Sequence, residues 1–222
     1  MTSSPASASA IPQLAARVSI ALAALAILSL AVLHILQPEL APATSMISQY
    51  AIGEPQGWLM NLCFASFAAG SLCLLVALAG QATSILGRIG LFCLLMAAVG
   101  LTFGALFNMD PATADQSQMS FSGQMHGFAF MIGVPGELLT VLLLSLALRR
   151  PPWNGMALLV VAAVVWISLV VMAVNLIGWM QAGATGPAIF GIPNRTFMIG
   201  YAVWLIIAAL PLARGASQVA AA

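Results

Sequence analysis

Long apolar stretches, each bounded by a few polar or turn-forming residues, make up most of the chain. Six of them follow one another, covering approximately residues 18–36, 58–80, 88–107, 124–148, 155–180 and 196–212. Each has about 17 to 26 residues, which suffices to cross a hydrocarbon core of about 30 Å at a rise of about 1.5 Å per residue. The pattern predicts an all-α integral membrane protein, in which a bundle of six transmembrane helices forms a single domain over residues 17–214.

The two ends of the chain lack this pattern. The first 16 residues are rich in Ser and Ala, and we expect them to form a disordered cytoplasmic head, with a short tail over residues 215–222. The sequence Ala41-Pro42-Ala43 after the first stretch resembles a signal-peptidase site, which leaves cleavage of the first span open. The stretch is longer than a usual signal core and the motif contains proline, and both features favour a retained span.

Composition narrows the class of protein further. Of the 222 residues, 62% are hydrophobic and 5% are charged, and the mean hydropathy is +1.08. A soluble domain carries about 25% charged residues, so this composition excludes one. A net charge of +1 without a basic run argues against a nucleic-acid partner.

The few charges divide between the two ends of the predicted bundle. One end collects Arg17, Arg88, Arg149, Arg150 and Arg214, and the other collects Glu39, Glu54, Asp110, Asp115 and Arg195. Arginine-rich loops stay on the cytoplasmic side, so both termini are predicted to be cytoplasmic, in a bacterial inner membrane. The outer connections are also the longer ones, which favours a binding site that faces outward.

Small residues four positions apart predict where helices pack closely. Gly100 and Gly104 form one such pair, and Gly123 and Gly127 form another. The sequence leaves open whether these pairs pack within the chain or between copies of a homo-oligomer.

Glu137 is the most unusual polar residue, because it falls within a predicted span. An ionised carboxylate near the middle of a bilayer costs at least about 2.5 to 3.5 kcal/mol, so the group is expected to be protonated or to have a partner. Pro135 and Gly136 precede it, and a glycine lets a neighbouring helix approach. His126 lies eleven residues earlier, on the same helical face and about 16 Å away along the axis, so both side chains are predicted to line one cavity.

Two histidines near the outer ends of their spans, His34 and His126, suggest metal or haem ligation. With Asp110 they are candidate zinc ligands, and as a pair they are candidate axial ligands of a b-type haem. The spacing is diagnostic of neither cofactor. The alternative is that both histidines form hydrogen bonds to loops at the membrane interface.

Arg195 is the lone outer base and immediately precedes the last predicted span. The helix dipole opposes a cation at a helix N-terminus, so compensation is expected from Glu54, Asp110 or Glu137, or from a lipid phosphate. The alternative is an arginine that reaches out to the lipid headgroups. Asn61 and Asn175 lie within spans and are expected to complete a polar pocket or to bridge helices.

Several motifs, taken in order, resemble a bacterial family of six-span proteins catalogued as domain of unknown function 998. They are His34, the loop Ser45-Met46-Ile47-Ser48-Gln49-Tyr50, the turn Phe107-Asn108-Met109-Asp110-Pro111, the pair Gly123 and His126, and Arg195 ahead of Trp204. The resemblance covers the chain from the first span to the last and implies the six-span topology. It implies no activity, and Glu137 is not part of the shared pattern.

The topology brings these motif residues to the outer end of the bundle. We therefore predict an outward-facing polar pocket formed by His34, Ser48, Tyr50, Asp110, His126 and Arg195. No catalytic motif is evident, which favours a non-enzymatic protein that binds a membrane lipid, a quinone or a partner subunit. The alternatives are a metal-dependent membrane lipid hydrolase and a small proton-coupled transporter that uses Glu137.

Overall fold

The computed structural model describes residues 5–52, 55–111, 119–183 and 189–215, with side chains from residue 10 onwards. This part of the chain is all-helical and contains no strand. Its helices are α1 (Pro5–Leu36), the 3-10 helix η1 (Ile47–Ile52), α2 (Gly57–Leu78), α3 (Ile85–Leu106), α4 (Phe121–Ala147), α5 (Gly155–Gln181) and α6 (Gly191–Ala213). Six of these helices are long and apolar enough to cross a membrane, which confirms the predicted six-span fold.

The α-helices form a ring, with each helix packed against its neighbours in sequence and α6 packed against α1. The closest pairing is between α3 and α4, whereas α4 touches α6 at few positions. Because the chain reverses direction at each connection, α1 begins and α6 ends at the same end of the ring, which we call the proximal end. We call the opposite end, where α1 ends and α6 begins, the distal end.

Besides α1, three helices begin several residues earlier than the apolar stretches predicted, because polar residues contribute to their first turns. Ser84 caps α3 by accepting a hydrogen bond from the Gly87 amide, and Ser120 caps α4 in the same way through Gly123. The third, α6, begins at Gly191, so Arg195 lies inside this helix rather than ahead of it. Hydropathy alone missed the first turns of α3 and α4 because capping depends on single hydroxyls, whereas α6 begins without a side-chain cap.

Part of the predicted disordered head, residues 5–16, belongs to α1, which begins at Pro5, and residues 1–4 lie outside the described residues. Alanine favours helix, and the side chains near the head are anchored to the end of α6. Arg17 Nε donates to the Ala213 carbonyl over 3.0 Å, and Gln13 Nε2 donates to the same oxygen over 3.3 Å. These contacts satisfy a terminal carbonyl of α6 and join the first helix to the last.

Glycines explain how closely α3 and α4 approach each other. A Cβ atom added to Gly100 would lie 2.3 Å from the Gly133 Cα, and one added to Gly136 would lie 2.6 Å from the Ala97 amide nitrogen. Both positions therefore require a residue without a side chain. The other predicted contact residues differ, since Gly104 has only ordinary contacts with Phe64 and a Cβ at Gly127 would meet nothing within 4 Å.

Candidate functional site

Arg195 is buried at the distal end, with 7% of its surface exposed. Its Nε donates to His34 Nε2 over 2.6 Å, and one terminal nitrogen donates to the Tyr50 hydroxyl over 3.0 Å. The other terminal nitrogen donates to the carbonyls of Ser45, at 2.5 Å, and Gly191, at 3.2 Å. All three guanidinium nitrogens therefore have acceptors within the protein.

The expected compensation for Arg195 takes a different form from the one predicted. Neither Asp110 nor Glu137 pairs with this guanidinium, and Glu54 lies outside the described residues. The guanidinium carbon instead lies 5.5 Å from the centroid of the Tyr50 ring, which adds a cation–π contact to the carbonyl acceptors. The side chain points into the protein, so the alternative of an arginine reaching the headgroups is also wrong.

His34 is held between its own helix and Arg195. Its Nδ1 lies 2.6 Å from the Leu30 carbonyl oxygen, while its Nε2 accepts from Arg195. Since Nε2 accepts, the proton resides on Nδ1, which fixes the neutral tautomer. The Tyr50 ring packs against the imidazole with centroids 5.4 Å apart. We call His34, Tyr50 and Arg195 the arginine cluster.

The arginine cluster fastens the connection between α1 and α2 to the bundle. This connection contains η1, in which Ile47, Ser48, Tyr50 and Ala51 are buried. Further hydrogen bonds join the connection to α6, from the Ile47 amide to Asn194 Oδ1 at 2.9 Å and from the Gly191 amide to the Ala43 carbonyl at 3.0 Å.

Asp110 lies apart from the arginine cluster, at the N-terminus of α4. Its carboxylate accepts from the Ser120 amide over 2.9 Å and from the Ser120 hydroxyl over 2.6 Å. A negative charge at this position is favoured by the helix dipole. A Cβ added to Gly123 would lie 2.1 Å from Asp110 Oδ2, so the carboxylate packs directly on the first turn.

A cavity of about 90 Å³ lies inside the distal half of the bundle, with room for several water molecules. Its walls come from η1 and from α2 to α6. They are formed by Met46, Ile47, Ser48, Phe64, Gly100, Leu101, Gly104, His126, Ala129, Phe130, Gly133, Val134, Glu137, Leu169, Met172, Asn194, Phe197 and Met198. The walls are mainly apolar, and Phe130, which is 48% exposed, borders the cavity at the outside of the bundle.

His126 and Glu137 both line this cavity, as their helical phase predicted. His126 Nδ1 lies 2.9 Å from the Phe107 carbonyl oxygen, and its ring makes an edge contact with Phe64. Glu137 is 2% exposed, and among the described residues no hydrogen bond or ion pair reaches its carboxyl group. Ser48 also lines the cavity, with its hydroxyl directed at the Met109 sulfur at 3.2 Å.

Two buried hydroxyl groups near Glu137, those of Ser71 and Tyr201, were missed by sequence reasoning. Ser71 donates to the Phe67 carbonyl over 2.8 Å, and the Tyr201 hydroxyl lies 2.8 Å from the Ser71 oxygen. Tyr201 and Ser71 are both completely buried. The presence of hydroxyl groups within apolar spans could have indicated such a contact, but the sequence does not show which spans face each other.

The two asparagines predicted within the polar pocket occupy different environments. Asn61 Oδ1 is buried without a hydrogen-bond partner in the described part of the chain. Asn175 is half-buried and donates to the Val171 carbonyl of its own helix over 2.8 Å. Neither residue lines the cavity.

The candidate zinc ligands do not assemble into one site. No group of three or more His, Cys, Asp or Glu side chains suited to a metal ion occurs within residues 5–52, 55–111, 119–183 and 189–215. Both ring nitrogens of His34 are engaged, so ligation of zinc or haem iron by this residue would first require Arg195 to move. The residues that are present do not fit either cofactor.

A family model described as a protein of unknown function, DUF998, matches residues 20–211. The chain belongs to this family. The DUF998 match confirms the resemblance carried by the motifs around His34, Asp110, His126 and Arg195. Searches of curated proteins and of solved structures gave no significant match.

In this DUF998 protein, the motif residues occupy two neighbouring places rather than one pocket. His34, Tyr50 and Arg195 form the arginine cluster, and Ser48 and His126 lie on the cavity. The cluster holds η1, which supplies part of the cavity wall. The helix cap formed by Asp110 supports the first turns of α4, which carry His126.

Proposed function

We propose that the protein binds an amphiphilic membrane molecule, a lipid or a quinone, in the cavity between η1 and helices α2 to α6. The observation that carries the proposal is the cavity itself: a mainly apolar chamber that borders the outside of the bundle at Phe130 and has two ionisable groups in its described walls, His126 and Glu137. Ligand sites are typically concave and mainly apolar, with a few polar groups that orient the ligand.

In this proposal the residues of the predicted pocket have two different roles. Ser48 and His126 contact the ligand, whereas the arginine cluster and Asp110 hold the segments that carry the wall. The arginine distribution favours a bacterial cytoplasmic membrane with both termini in the cytoplasm, so that the cavity opens toward the outer side. Binding of a partner subunit or of a second copy stays a prediction.

Filling the cavity provides the test of this function. We expect purified wild-type protein to retain about one amphiphile per chain in native mass spectrometry, and Ala129→Phe to lose it, because Ala129 lines the cavity and a phenyl ring would occupy the space. Ala65→Phe is the matched control, since Ala65 is exposed on α2. An amphiphile that survives in Ala129→Phe, or is absent from the wild type, would contradict the proposal.

A proton-coupled transporter is the second candidate, favoured by the placement of Glu137 on a cavity that extends toward the distal end. A carrier needs the carboxyl to exchange a proton, so Glu137→Gln would abolish transport. A simple binding protein needs only a hydrogen-bonding group at this position.

A further inference from the structure

The charges around the cavity bear on the head group of its ligand, an inference that rests on the proposed function. His126 and Glu137 are the ionisable residues among those lining the cavity, and no Arg side chain lines it. The nearby Arg195 directs its nitrogens to His34, Tyr50 and two backbone carbonyls. The described walls therefore offer no permanent cation for a phosphate or carboxylate head group.

Glu137 is a lining residue whose whole polar group has unused hydrogen-bonding capacity, whereas His126 already uses its Nδ1 on the Phe107 carbonyl. The side chain is almost completely buried, lines the cavity and is free of hydrogen bonds and ion pairs to the described residues. The Tyr201 phenol interacts electrostatically with Glu137, but its oxygen is already hydrogen-bonded to Ser71. A protonated carboxyl can donate one hydrogen bond and accept others, and an uncharged acid is the less costly form between apolar walls.

We propose that the cavity selects an uncharged amphiphile whose oxygen accepts a hydrogen bond from the Glu137 carboxylic acid, as the carbonyl of a quinone, ketone or ester would. An anionic head group would meet no permanent cation there, since His126 is the one basic side chain among the described lining residues. A cationic head group would require an ionised carboxylate, which stands unpaired among apolar walls whenever the cavity is empty. The apolar walls from Phe130 to Met172 then accommodate the hydrocarbon part.

Three probes with the same decyl tail test the head group directly. Decylbenzoquinone is uncharged, decyl phosphate is anionic and decyltrimethylammonium is cationic. Apparent dissociation constants are measured by native mass spectrometry on the full chain in detergent micelles. We expect decylbenzoquinone to bind at least about tenfold more tightly than either charged probe. Its binding should be lost in Ala129→Phe and retained in Ala65→Phe.

Variants of Glu137 test the hydrogen bond. Glu137→Gln keeps a donor, so its affinity for decylbenzoquinone should stay within about threefold of wild type, whereas Glu137→Leu should lose about tenfold. Thermal unfolding of both variants verifies that they are folded. Equal affinities in Glu137→Leu and wild type would overturn the role of this residue.

The outcomes separate this inference from the proposed function. If a charged probe binds more tightly than decylbenzoquinone and Ala129→Phe abolishes that binding, the cavity binds amphiphiles but the inference about the head group is wrong. If none of the probes binds, or Ala129→Phe changes nothing, both the inference and the proposed function fail.

Discussion

Gly100→Ala is expected to lower the free energy of unfolding by about 3 kcal/mol, because the added methyl group cannot be accommodated. The new Cβ would lie 2.3 Å from the Gly133 Cα and 2.8 Å from the Ala129 carbonyl oxygen. These are backbone atoms, so no side-chain rotation relieves the overlap and α3 must move away from α4. Thermal or denaturant unfolding of the purified protein measures the loss.

Gly127→Ala is the matched control on α4. A Cβ at this position would meet nothing within 4 Å, and alanine favours helix over glycine by about 1 kcal/mol. We therefore expect unchanged or slightly increased stability. Equal effects of the two substitutions would show that helix propensity, rather than contact between α3 and α4, determines stability.

Arg195→Met is expected to destabilise the protein by about 3 kcal/mol, because it leaves several buried acceptors unpaired. The Tyr50 hydroxyl and the Ser45 carbonyl both lose a donor, and His34 loses the partner of its Nε2. Arg195→Lys should also be destabilising, since a single ammonium group cannot reproduce the geometry of the planar guanidinium. Thermal unfolding measures both variants.

Arg88→Met is the control for this prediction, because Arg88 is exposed at the proximal end. Its loss should change the unfolding free energy by less than about 0.5 kcal/mol. If Arg195→Lys is as stable as wild type, Arg195 acts as a simple positive charge and the arginine cluster does not hold the connection between α1 and α2.

Both predictions concern residues, Gly100 and Arg195, that the sequence indicated as important. The sequence did not indicate which residues they contact. The six helices could be predicted because an apolar stretch long enough to cross a membrane has few other stable structures. His126 and Glu137 could be placed on one cavity because both lie on one helix, where the spacing of residues fixes the face.

The partners of Arg195 could not be predicted, because they come from three separate segments of the chain. Electrostatic reasoning favoured carboxylates, yet a histidine, a tyrosine and backbone carbonyls surround the guanidinium. Five donors of one arginine can be satisfied by neutral acceptors when loops fold over it. Likewise, Gly100 was identified as a packing position, but its contact with Gly133 depends on how α3 lies against α4.

The structure therefore separates the polar residues that support the distal end from those available to a ligand. The side chains of the arginine cluster form hydrogen bonds within the protein, and the Asp110 carboxylate accepts hydrogen bonds from Ser120 at the N-terminus of α4. The carboxyl of Glu137 is left facing the cavity. A change in the arginine cluster should accordingly alter stability first, and a change at Glu137 should alter ligand binding first.

Photolabelling in membranes tests the central claim, that this cavity is the ligand site, most directly. A decyl ketone carrying a diazirine in its tail is activated in membranes containing the protein, and the labelled positions are identified by peptide mass spectrometry. The account predicts labels at Phe130, Val134 or Met172, which line the cavity, and loss of these labels when excess decylbenzoquinone is added. Labels confined to lipid-facing positions such as Ala65, with no competition by the quinone, would contradict it.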